Sequence, residues 1–155
     1  MGISATDSRI LLDEIAALTE AGSPAESLDR VVALLHARVG HYAWVGIYLL
    51  EREELVLGPY RGKPSPHARI RLGQGICGAA AAAKQSLIIP DVNADPRYLA
   101  CSLETKSEIV VPIMDGAECL GEIDVDSDMI DAYGDVDRRF LESVAEHLAP
   151  IVKRI

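Results

Sequence analysis

Apolar residues near the start of the chain recur at spacings of three and four: Leu11, Leu12, Ile15, Ala16 and Leu18, then Leu28, Val31, Val32, Leu35 and Val39. That is the period of a helix with one buried stripe. It predicts a first helix over Asp7 to Ala21 and a second that starts at Ser23, where Ser23, Pro24 and Glu26 form an N-terminal cap. The pattern then changes. Tyr42 to Leu50 is aromatic and β-branched, and it is followed by charged Glu51 to Glu54 and apolar Leu55 to Leu57, so a β-hairpin is expected. Further along, Arg69 to Leu72 and Leu87 to Ile89 read as short strands on either side of an Ala-rich helix opened by Gly75. Asp91 to Thr105 is polar and irregular, with one helical turn expected after Pro96. Glu108 to Met114 and Ala117 to Asp126 flank Asp115-Gly116, the dipeptide that a tight type I′ turn prefers, and they predict a second hairpin. Pro112 predicts an edge or a bulge in its first strand. Val136, Phe140, Val144, Leu148 and Ile151 then mark a closing helix over Gly134 to Ile155, with Pro150 able to kink its end. Two helices, hairpin, short elements, hairpin and helix predict an α+β fold, an antiparallel sheet with helices outside it.

Length and charge narrow the function classes. The chain has 155 residues, enough for one domain (1–155), and 49% of them are hydrophobic, enough for a core without disulfides or a structural metal. Its formal charge is −9, and basic residues never run beyond a pair such as Arg138-Arg139, which predicts neither a nucleic-acid partner nor an anionic membrane surface. Tyr42 to Leu50 and Gly75 to Ala83 fall far short of the roughly 18 apolar residues of a spanning helix. The N-terminal residues carry neither a basic nor an apolar signal region, so a cytoplasmic, reducing location is expected, and the three cysteines read as free thiols.

Alternation assigns faces to the strands. Tyr42, Trp44, Gly46 and Tyr48 share one side of theirs. Glu118, Leu120, Glu122, Asp124 and Asp126 share a side of the last strand, and Cys119, Gly121, Ile123 and Val125 take the other, which predicts Cys119 to be an inert core residue. Carboxylates two residues apart on one face lie roughly 7 Å from each other, close enough to hold an ammonium group or to raise one another's pKa. A plain solvated acidic face gives the same pattern. Gly73-Gln-Gly-Ile-Cys-Gly78 matches the dinucleotide fingerprint in form, yet the alternating strand before it and the lack of further strand-helix units count against nucleotide binding. Cys77 lies in the first turn of a helix, where the dipole favours a thiolate, although a packed small residue reads the same way. Cys101 lies in the longest irregular segment and is the thiol candidate on position, with an inert loop cysteine as the other reading. His36, His41, His67 and His147 show no ligand spacing, so no metal or zinc site is expected.

Five segments together resemble a known family: Trp44-Val-Gly-Ile-Tyr48, Leu55-Val-Leu-Gly-Pro-Tyr60, Gly73-Gln-Gly-Ile-Cys-Gly78, Ala100-Cys-Ser-Leu-Glu-Thr-Lys-Ser-Glu-Ile-Val110 and Gly121-Glu-Ile-Asp-Val-Asp-Ser127. In this order and spacing they are similar to the GAF-domain free methionine-(R)-sulfoxide reductases. The resemblance implies a GAF-like antiparallel central sheet flanked by N- and C-terminal helices. It implies a substrate pocket at Trp44, Tyr48, Glu108, Asp124 and Asp126, a catalytic nucleophile at Cys101 and a second, helix-start cysteine at Cys77, which with His67 in the loop is the internal thiol expected to close a disulfide with Cys101. No cofactor is implied. The reaction would pass through a sulfenic acid and a disulfide. The expected partners are free methionine sulfoxide, a thioredoxin-type reductant and a second copy of the chain in a homodimer. This sequence departs from the family in one loop, where His67 stands at the place of the usual resolving cysteine. A GAF module that binds a small ligand without turnover is the competing reading, and a purely structural dimer module a third.

Overall fold

A computed structural model describes residues 2–100 and 103–155. Two helices, α1 (Ala5–Leu18) and α2 (Pro24–Arg38), open the chain, and Ser4 and Ser23 cap them by accepting the amides of Asp7 and Glu26. They are followed by β1 (Trp44–Glu51), β2 (Glu54–Arg61), β3 (Arg69–Arg71), α3 (Gly75–Ala83) and β4 (Leu87–Ile89). A single 3₁₀ turn (Val92–Ala94) leads on to β5 (Ser107–Asp115), β6 (Glu118–Ser127) and α4 (Asp135–Val152). The helical turn expected after Pro96 thus lies before it, where Asp91 caps the turn by accepting the Asn93 amide.

All strand pairs are antiparallel, in the spatial order β3-β2-β1-β6-β5-β4. The expected α+β, GAF-like sheet with terminal helices is therefore the observed one. The second hairpin closes one residue later than predicted: Asp115 pairs with Glu118, and Gly116, at φ 59°, is the first of two turn residues rather than the second. That is the glycine placement of a type II′ turn. Pro112 is tolerated in β5 because β4 pairs only as far as Val110, which leaves the next stretch of that edge without a strand partner.

The sheet separates two apolar layers. On one face α1, α2 and α4 bury Leu11, Ile15, Val31, Leu35, Phe140, Val144 and Leu148 against Val45, Ile47, Ile123 and Val125. On the other, α3 buries Ile76, Ala80 and Ala81 against Trp44, Tyr48 and Val110. The alanines and Gly78 set the close approach of α3. A Cβ on Gly78 would come within 2.5 Å of the Arg71 carbonyl oxygen, so the glycines of the loop serve chain packing. Tyr42, expected beside Trp44, lies before β1 begins and belongs to the terminal-helix side. Among the described residues no helix is long and apolar enough to cross a membrane.

Asp137 ties the terminal-helix layer together. Its buried carboxylate accepts from the Ile3 and Gly134 amides, from the Tyr42 hydroxyl at 2.9 Å and from His41 Nε2 at 2.8 Å. Burial alone would raise its pKa, but the hydrogen bonds from His41, Gly134 and Tyr42 outweigh it and hold the carboxyl below its ordinary value. A lowered carboxyl stabilises the fold above the unfolded-state pKa, and that contribution is lost as pH falls through the folded value. Asp137→Asn should therefore cost about 2–3 kcal/mol at neutral pH, with the deficit shrinking in acid. Urea unfolding across the acid range checks this, and a deficit independent of pH would contradict it.

Candidate functional site

The register of three adjacent strands builds the site floor. Across β1, β6 and β5, Trp44 faces Asp126 and Asp126 faces Glu108. In the next row Gly46, Asp124 and Val110 align, and then Tyr48, Glu122 and Pro112. The aromatic side and the acidic side predicted separately are thus one surface, because β1 and β6 are direct neighbours about 4.8 Å apart. A solvated acidic face is ruled out by burial: Glu108 and Asp126 are each 4% exposed, Asp124 2% and Glu122 not at all.

Gly46 explains how a tryptophan fits there. A Cβ on it would come within 2.3 Å of the Trp44 ring, so the indole folds across a position that only glycine leaves vacant. The ring stacks on Tyr60 with centroids 5.7 Å apart, and its Nε1 donates to the Lys63 carbonyl at 2.9 Å. Tyr48 donates its hydroxyl to the His67 carbonyl at 2.9 Å. Both aromatics therefore hold the 62–68 loop over the floor. Lys63 also pairs with Glu104 at 2.5 Å, and His67 Nε2 meets the Ala100 carbonyl at 3.1 Å. Beneath this rim are a cavity of about 110 Å³, bordered by Trp44, Lys63, Ser65, Thr105 and Asp126, and a smaller one of about 20 Å³, bordered by Tyr48, His67, Cys77, Glu108 and Asp124.

Electrostatically the floor is acidic throughout. Burial, helped by the neighbouring Asp124 charge, pushes Glu122 and Asp126 well above the carboxylate range. Asp124 is raised by burial too, moderated by hydrogen bonding with Glu108 and Cys77. The buried polar residues that have been described include no lysine, arginine or histidine. Both oxygens of Glu122 and one each of Asp124 and Asp126 lack a hydrogen-bond partner among the described residues. Such a set favours protonated acids, or a cation supplied from outside.

The thiols differ from expectation in two ways. Cys77 reaches the site from α3, with Sγ 3.7 Å from Glu108 Oε2, but the predicted thiolate is not favoured there. Burial, followed by Asp124, Glu122, Glu108 and Asp126, raises its pKa well above that of an ordinary thiol, and these outweigh one helix end. Cys119 faces the site layer with Cys77 rather than the layer of Ile123 and Val125. The reason is a bulge: Met114 pairs with Cys119 and Ile113 with Gly121, so Leu120 is an extra residue that inverts the alternation and itself packs toward the terminal helices. Cys119 is buried, and burial raises its pKa, so a sluggish thiol is still expected. Cys101 lies outside the described residues.

Glu122 is the floor residue to which the sequence reading gave no role. Alternation placed it with Asp124 and Asp126, but only the cover of α3 shows that it is fully buried. The folded chain keeps its proton where the unfolded chain releases it, so stability is lost as pH rises from the ordinary carboxylate range toward the raised value. Glu122→Gln should raise the melting temperature at about pH 8 by roughly 2–4 °C, the equivalent of about 1 kcal/mol, and by less near pH 4. Calorimetry at the two pH values tests this, and a destabilised variant at pH 8 would refute it.

The fold and this layered sheet are those of a GAF domain, and the GAF family model matches residues 23–152. The chain is 39% identical to GAF domain-containing protein A of Dictyostelium discoideum over 132 residues, 84% of this chain and 82% of that protein. It is 36% identical to the free methionine-R-sulfoxide reductase of Escherichia coli over 126 residues, 81% of this chain and 76% of that one. The solved structure of the Neisseria meningitidis free methionine-R-sulfoxide reductase, in complex with its substrate, superposes with a TM-score of 0.89 at 30% identity. That match covers 99% of this chain and 94% of the other. The chain belongs to the GAF-domain free methionine-(R)-sulfoxide reductase family.

Proposed function

We propose that this protein reduces free L-methionine-(R)-sulfoxide to methionine. The observation that carries the proposal is the buried row of Glu108, Asp124 and Asp126, with Trp44 beside it and no cationic side chain among the buried residues described. An ionised member of that row holds the substrate's ammonium. Another, kept protonated by burial, donates to the sulfoxide oxygen. Trp44 and Tyr48 take the methyl group and the sulfur by the soft contact between sulfur and aromatic rings.

In the chemical step the Cys101 thiolate supplies an electron pair to the sulfoxide sulfur. The oxygen passes to Cys101, methionine leaves, and the cysteine, oxidised by two electrons, becomes a sulfenic acid. A second thiol condenses with it, releasing water and leaving a disulfide, which a thioredoxin-type dithiol reduces. The resemblance puts His67 where the family's usual resolving cysteine stands, and His67 Nε2 meets the Ala100 carbonyl. Burial and the surrounding acids raise the Cys77 thiol well above its ordinary pKa, which counts against the expected internal bond to Cys101 and favours an outside thiol for the resolving step. Alkylation and mass spectrometry after one stoichiometric turnover distinguish an externally capped Cys101 from a bond to Cys77.

Racemic free methionine sulfoxide with dithiothreitol tests the activity. The R epimer should disappear and the S epimer persist. Saturable binding of either epimer without consumption would instead favour the small-ligand sensor.

A further inference from the structure

One donor set on the site floor has a second chemistry. Cys77 Sγ and one carboxylate oxygen each from Glu108 and Asp124 lie within 4.8 Å of one another, and all three residues are buried. Sγ and Glu108 Oε2 are 3.7 Å apart. A tetrahedral zinc ion, with Zn–S of about 2.3 Å and Zn–O of about 2.1 Å, would hold such a pair about 3.6 Å apart. The Cys77 thiol donates to Glu108 across that distance, and one such ion would hold the pair at nearly the same spacing.

A further observation points to an occupant. Asp124 Oδ1 is buried without a hydrogen-bond partner among the described residues, and Asp124 borders the 20 Å³ cavity together with Cys77 and Glu108. That volume suits one water-sized guest.

We propose that Cys77, Glu108 and Asp124 form a binding site for one divalent cation of borderline softness, such as Zn²⁺. The sulfur donor selects against Mg²⁺ and Ca²⁺, which prefer oxygen alone. Three protein donors leave a fourth position for water. The ligands come from α3, β5 and β6, so no short sequence spacing announces them. Glu108 and Asp124 are also the residues assigned to the substrate ammonium, so ion and substrate exclude each other. That consequence rests on the reductase reading, and the binding itself does not.

The test uses the reduced full chain, stripped by chelator and free of any histidine tag. It is titrated calorimetrically with ZnCl₂ and spectroscopically with CoCl₂. One ion should bind per chain, and the cobalt complex should show a sulfur-to-metal charge-transfer band. Cys77→Ala should remove that band and weaken zinc binding at least about 100-fold, and Cys77→Ser, closer in volume, should lose the band as well. Cys119→Ala, at the neighbouring buried thiol, should keep both signals. Absence of saturable binding, or a band and affinity that survive in both Cys77 variants, overturns the site. Free methionine sulfoxide should displace the ion. Zinc that binds as described but is not displaced upholds the metal site and counts against placing the substrate ammonium at Glu108 and Asp124.

Discussion

Cys101→Ser should abolish reduction of free methionine-(R)-sulfoxide while leaving substrate binding in place. A serine hydroxyl is far less ionised and less nucleophilic than a thiol, and no other described thiol is disposed to take over, since burial raises the pKa of both Cys77 and Cys119. The loss should therefore reach at least about a thousandfold. Trp44 makes binding measurable apart from turnover. It is the single tryptophan of the chain and lies on the site floor, so its fluorescence should respond to substrate in the variant as in the parent. Turnover within a few-fold of the parent would remove Cys101 from the mechanism. A lost fluorescence response would mean that the substitution had damaged the pocket rather than the chemistry.

Acylating the substrate's amine should be nearly as damaging. N-acetylation removes the one positive charge that the proposed pocket receives, and it adds bulk beneath a rim fastened by Trp44, Tyr48 and the Lys63–Glu104 pair. Leaving a buried, hydrogen-bonded charge without its partner costs about 2–5 kcal/mol. The expected kcat/KM is thus about thirty to several thousand times lower for N-acetylmethionine sulfoxide than for the free amino acid. Steady-state rates on the two compounds, with the same reductant, decide the matter. Equal rates would mean that the ammonium is not held by the acidic row.

The strands and helices were legible because their apolar periods are regular. Leu28, Val31, Val32 and Leu35 face the core as their spacing requires, and β4 falls on Leu87–Ile89 as read. Asp124 and Asp126 were legible as a pair for the same reason. What alternation cannot show is an inserted residue, and Leu120 moved Cys119 to the other layer. Nor can it report what covers a face. Glu122 reads as one more acid on a strand, but α3 covers it, and the helix dipole at Cys77 is minor beside burial and four neighbouring carboxyls. The contact between His67 and Ala100 spans 33 residues of chain and has no local signature.

The seam between β1 and β6 bears on how the molecule comes into being. It brings Trp44 against Asp126 and Tyr48 against Glu122, so the pocket's aromatic and acidic halves come from distant parts of the sequence. Contacts of such long separation are expensive in loop-closure entropy and form slowly. A nascent chain therefore owns no part of a working pocket until β6 has emerged from the ribosome and found β1. Before that moment α2 can form and lean on the first hairpin, while α1 still waits for α4, and Trp44 has no acidic neighbour. Competence to bind arrives together with the central sheet.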